Sequence, residues 1–122
     1  MKKLIKFIIL TPLIYITICI LVFVYITEYR ITNVANFENP KNKYTVLFQQ
    51  VGSPDWPFGA TTVKVTLLNK KGRKVESFVK DISDDGATAG ERNIDVKWYD
   101  KYVEVVLMGG EQEDDVYQIK YK

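Results

Sequence analysis

The chain has 122 residues, 47% of them apolar, and a formal net charge of +2. Within that length there is room for one membrane segment and one small domain, which excludes a multidomain enzyme in this stretch. Histidine is absent and the single cysteine, Cys19, lies in an apolar run, so Ser-His-Asp and Cys-His catalysis and the usual zinc sites are excluded.

Residues 1–6 form a short tail carrying Lys2, Lys3 and Lys6. From 7 to 27, 17 of 21 residues are apolar and none is charged. As a helix this run is about 31 Å long at ~1.5 Å per residue, matching a hydrocarbon core of roughly 30 Å. It is apolar on every face, which points to a transmembrane helix and away from the amphipathic helix of a globular core. Pro12 removes a hydrogen bond near its start, as membrane helices tolerate. The lysines precede the run and no basic cluster follows Glu28 and Arg30. The positive-inside rule therefore predicts a cytoplasmic N-terminus and a C-terminal domain outside the cell membrane, with Tyr25 and Tyr29 at the outer interface. A cleaved signal peptide is the competing reading. Its apolar region is typically ~7–15 residues, and no small-x-small cleavage site follows closely, so an uncleaved signal-anchor is expected. Ile18 precedes Cys19 in mid-helix, which does not fit a lipoprotein site; a lone thiol there is an apolar filler.

Residues 28–43 are polar, with four asparagines and Pro40, and read as a linker. From 44 to 122 the pattern is one of short strands, at 44–51, 61–69, 73–82, 92–99, 102–108 and 116–121. The second is the cleanest, with Val63, Val65 and Leu67 on one face. Ile94, Val96 and Trp98 share a face of the fourth, Val103, Val105 and Leu107 face inward on the fifth, and Tyr117, Ile119 and Tyr121 align on the sixth. Period-2 alternation and short turns predict an all-β fold, a small antiparallel β-sandwich-like domain of about six strands. No disulfide supports it, because the only cysteine is in the apolar run, so the domain depends on its packed core.

Four loops draw attention. Residues 52–60 (GSPDWPFGA) place two prolines and two glycines around Trp56 and Phe58, with Asp55 beside them. A stiff loop presenting aromatics would suit a partner, a glycan or the membrane surface. Against this, large aromatics are seldom left exposed, and the expectation is that both fold back over the end of the sandwich. Residues 81–90 hold Asp81, Asp84 and Asp85 followed by Gly86, a carboxylate cluster of the kind that binds calcium, although the offsets do not match an EF-hand loop. Aspartate and glycine are equally ordinary turn residues. Lys70, Lys71, Arg73 and Lys74 read as an exposed hairpin tip, and residues 111–115 (EQEDD) as a solvated acidic turn. Residues 28–122 carry 14 basic and 15 acidic side chains, a net charge of −1, which disfavours nucleic acid as a partner.

The segments SPDWPFG followed by TTVKVTL, VKWYDKYVEVVL and DVYQIKY resemble small single-pass membrane-anchored proteins of low-GC Gram-positive bacteria. The resemblance implies no activity and carries over no catalytic residue. The expected function is that of a non-enzymatic domain without a cofactor, held in the membrane by residues 7–27. It would bind or assemble with another protein of the envelope through the Trp56 loop or an unpaired sheet edge. Two alternatives are an accessory subunit whose membrane helix is itself the contact surface, and a small envelope hydrolase working through carboxylates alone.

Overall fold

The structure is a computed structural model that describes residues 1–121. Helix α1 spans Lys2–Val24 and runs on into a π turn, Tyr25–Tyr29. None of its residues is buried, and by length and composition it can cross a membrane. Thr11, Thr17 and Thr27 donate their hydroxyls to the carbonyls of Phe7, Leu13 and Phe23 at 2.8, 2.8 and 2.9 Å, so these three polar groups are satisfied within the helix.

Among the described residues seven antiparallel strands follow, in two sheets. β1 (Ile31–Glu38), β2 (Thr45–Val51), β3 (Thr61–Leu68) and β4 (Lys74–Ile82) form one, in sequence order. β5 (Ile94–Trp98), β6 (Tyr102–Leu107) and β7 (Asp115–Lys120) form the other, also in sequence order. Within each sheet every strand pairs with its neighbours in the chain, so short turns are sufficient there, and residues 83–93 carry the chain from one sheet to the other.

The sequence predicts six strands and the structure has seven. The additional one, β1, lies inside residues 28–43, which the sequence presents as a linker. Val34 sits in a bulge where the pairing of β1 with β2 shifts between Asn33 and Ala35, and the bulge breaks the period-2 pattern by which a strand is read. The asparagines are tolerated because β1 is an edge strand, largely wet on one face; Asn33 Oδ1 accepts a hydrogen bond from Gln49 Nε2 at 2.7 Å. Pairing with β2 decides the conformation and local propensity does not. The helix is thus joined to the first strand by one residue, Arg30, in extended conformation.

Val46 and Phe48 of β2, the inner residues of β3, Ile82 of β4, Ile94 of β5, the inner residues of β6 and Ile119 of β7 form one buried cluster. Both sheets therefore contribute to a single core. The inward positions expected on β3 and β6, Val63, Val65, Leu67, Val103, Val105 and Leu107, are all fully buried. Val96, Trp98, Tyr117 and Tyr121 are half-buried at its margin.

This up-and-down order sorts the loops into two poles. β1 and β3 run away from the helix, and β2 and β4 return. Residues 52–60 and 83–93 therefore lie at the helix-proximal pole, with 108–114 joined to them by the bond from Met108 N–H to the Asn93 carbonyl, 2.8 Å. Residues 39–44 and 69–73 lie at the helix-distal pole. The turn at 99–101 joins them there, because Tyr121 stacks on Tyr44 at 4.6 Å and its amide bonds to the Lys101 carbonyl.

Candidate binding surfaces

The loop at 52–60 begins at Gly52, whose φ of +70° turns β2 sharply against the end of the helix. Its N–H donates to the Arg30 carbonyl at 2.7 Å, and the Ser53 N–H donates to the Thr27 carbonyl at 2.8 Å. The Asp55 amide bonds to the Ala60 carbonyl at 3.1 Å and the Gly59 amide to the Asp55 carbonyl at 2.7 Å, closing the loop on itself. Contrary to expectation, the aromatics do not fold over the core: Trp56 is 92% exposed and Phe58 69%. Hydrogen bonds tie the first residues of the loop to the helix end, and both rings stay outside the buried cluster. Trp56, Asp55 and Ser53 line a shallow depression together with Phe23, Thr27 and Glu28.

The three aspartates of residues 81–90 do not converge. Asp81 Oδ1 accepts from the Thr62 hydroxyl at 2.7 Å on the surface of β3 and β4. Asp84 is turned the other way and is already occupied. Its carboxylate accepts from Asn93 Nδ2 at 3.1 Å, the Gly110 amide at 3.0 Å and Arg92 Nε at 3.2 Å. The Asn93 side chain and the Gly110 amide, with Arg92 beside them, hold its carboxyl below the ordinary carboxylate range. Asp85 has a left-handed backbone (φ 53°) in the same turn. Among the described residues no group of three or more acidic or cysteine side chains is placed to hold a metal ion. Asp84 is a structural carboxylate: it ties the loop after β4 to the entry of β5 and to the turn after β6. Asn93, nearly fully buried, completes the joint by donating to the Met108 carbonyl at 2.9 Å and accepting from the Gly90 amide at 2.9 Å.

The surface that the sequence conceals is at the helix-distal pole. The turns at 39–44 and 69–73 lie side by side and form an open cleft of about 620 Å³ lined by Lys41, Lys43, Lys70, Lys71 and Arg73, with Tyr44, Asn42 and Asn69 between them. Both turns are fixed by asparagine side chains. Asn39 Oδ1 accepts from the Lys41 amide at 3.0 Å and Asn42 Oδ1 from the Tyr44 amide at 3.1 Å. Asn69 Oδ1 accepts from the amides of Lys71 and Arg73 at 2.9 and 3.0 Å. Glu38 pairs with Lys43 at 3.7 Å, and no ion pair engages Lys41, Lys70, Lys71 or Arg73 among the described residues. Beside the paired Lys43, four cations line this one cleft, and like charges gathered on one small surface reinforce one another's potential. Most acidic loops lie at the opposite pole, so a domain of net charge −1 is electrically polarised along its long axis. The sequence shows Lys70, Lys71 and Arg73 as a hairpin tip but places Lys41 and Lys43 in the supposed linker. Recognising β1 would have brought the two turns together, because the hairpins β1–β2 and β3–β4 of a meander turn at the same end.

No protein-family model, characterised protein or solved structure matches this chain.

Proposed function

We propose that the protein is a single-pass membrane protein whose β-sandwich-like domain stands outside the cell and binds an acidic surface of another envelope protein. Binding, and not catalysis, is the function this reading assigns. The observation that carries it is the cationic cleft at the pole farthest from the helix. Strands of eight residues separate that pole from the helix end by about 25 Å at ~3.3 Å per residue. A membrane-anchored domain would therefore hold the cleft out toward the envelope. Two turns already ordered by their asparagines lose little entropy on binding, and clustered unpaired cations steer an acidic partner into place.

Photo-crosslinking from position 42 of the full chain in its own membrane tests this. A crosslinked partner that disappears in the Lys41→Glu, Lys70→Glu, Lys71→Glu variant, and weakens with added salt, supports the reading. A partner that survives charge reversal overturns it. Exchanging residues 7–27 for an unrelated apolar helix should leave the crosslink intact; its loss would favour the helix as the contact surface.

A further inference from the structure

We propose that the loop at 52–59 is a lipid-contact element: Trp56 and Phe58 lodge in the outer interface of the same bilayer that α1 spans and hold the domain there in one orientation. This rests on the membrane reading above but not on the cationic cleft. Height is the first consideration. The uncharged apolar run ends at Thr27, and Glu28 is the first charged residue after it. Trp56 shares one depression with Phe23, Thr27 and Glu28, so it stands where hydrocarbon gives way to headgroups. Tryptophan favours that level, because its ring is apolar and its indole N–H can still reach water or a headgroup.

The attachment is also rigid. One residue, Arg30, separates the π turn from β1. The bonds from Gly52 N–H to the Arg30 carbonyl and from Ser53 N–H to the Thr27 carbonyl clamp the loop to the helix end. Gly52 lies so close to the Thr27 and Glu28 backbones that no Cβ fits, so the loop cannot swing without breaking main-chain contacts. Behind it, the backbone of Gly86 packs on Phe58. Finally, Trp56 and Phe58 are the two most exposed large apolar side chains beyond the helix and its π turn. Both sit on the loop that is clamped to the helix end, and a bilayer reaching that level would cover exposed apolar surface that the protein itself leaves bare. The four acidic residues at 111–115 share this pole, which makes a zwitterionic surface a better match than a strongly anionic one.

The chain has two tryptophans, and Trp98 belongs to β5, which runs toward the other pole, so Trp56 can be read separately. The full chain is reconstituted in phosphatidylcholine vesicles with lipids brominated on the acyl chain near the headgroup. Emission from the wild type minus that from Trp56→Phe isolates Trp56. The expected difference spectrum is blue-shifted from that of tryptophan in water and loses most of its intensity to the brominated lipid, while the remaining Trp98 signal is unaffected. Vesicle flotation with a water-like, unquenched Trp56 overturns the inference alone, and is the outcome if a protein partner covers the loop instead. A chain that does not float with the vesicles overturns the membrane reading and this inference with it. Both aromatics project from the protein, so Trp56→Ala with Phe58→Ala should keep the fold while making the domain's tilt on the bilayer variable.

Discussion

Gly52→Ala is the substitution that most directly tests how the helix and the domain are joined. It carries two costs. Gly52 has φ +70°, and an L-residue in the left-handed region costs roughly 1–2 kcal/mol. The added methyl would overlap the Thr27 carbonyl oxygen and stand 2.9 Å from the Glu28 Cα, main-chain atoms that cannot rotate aside. Such overpacking costs roughly a further 1–3 kcal/mol, for a total of about 2–5 kcal/mol. Gly72→Ala supplies the control. Its φ is +78°, but nothing lies within 4 Å of the site of a Cβ, so it should incur only the backbone cost. Urea unfolding of the full chain in detergent micelles, followed by Trp98 emission in a Trp56→Phe background, compares the two. Gly52→Ala should be the more destabilising by about 1–3 kcal/mol. If the clash is relieved by undocking instead, the amides of Gly52 and Ser53 should lose their protection from hydrogen exchange. Equal stabilities with both amides still protected would refute the close approach on which the joint is built.

Two further predictions concern the joint between the sheets. Asn93→Leu removes side-chain bonds to the Gly90 amide, the Met108 carbonyl and the Asp84 carboxylate. At about 1 kcal/mol for each neutral bond and about 1.5–3 for the charged one, urea unfolding should register a loss of about 3.5–5 kcal/mol. Asp84 makes stability depend on acid. Its folded pKa lies below its unfolded value, so its contribution is present in full above the unfolded pKa, about 3.9, and is lost as pH falls through the folded value. The stability difference between wild type and Asp84→Asn should hold steady from neutral pH down to about 5 and shrink below about 4. A difference that does not change between about pH 5 and 2 would remove Asp84 from this role.

Most of the fold can be read from residue patterns because those patterns are local. An uninterrupted apolar run dictates a helix that exposes apolar side chains on all sides, and alternation in TVKVTLL dictates a strand with one buried face. The strands expected from 44 onward all form, with ends that differ by one or two residues. Where local patterns mislead, the deciding interaction comes from elsewhere in the chain. Asparagine-rich β1 is ordered by β2, and its bulge hides the alternation. Asp81, Asp84 and Asp85 are close in sequence but do not form a cluster, since Asp81 bonds to Thr62 on β3 while Asp84 bonds to Arg92, Asn93 and Gly110. Trp56 and Phe58 stay off the core, on a loop whose first residues, Gly52 and Ser53, bond to Arg30 and Thr27, about two dozen residues earlier in the chain.

The sequence alone therefore determines the anchor-like helix, the all-β character of the domain attached to it and the inner faces of β3 and β6, because periodicity and side-chain type suffice for each. Tertiary structure decides where charge and exposed aromatic surface accumulate. Strand order brings Lys41 and Lys43 beside Lys70, Lys71 and Arg73, turning a nearly neutral domain into a polarised one. Backbone bonding to the helix end sets Trp56 at one height. Each depends on which distant segments share hydrogen bonds, a property of chain pairing that no local pattern of residues encodes.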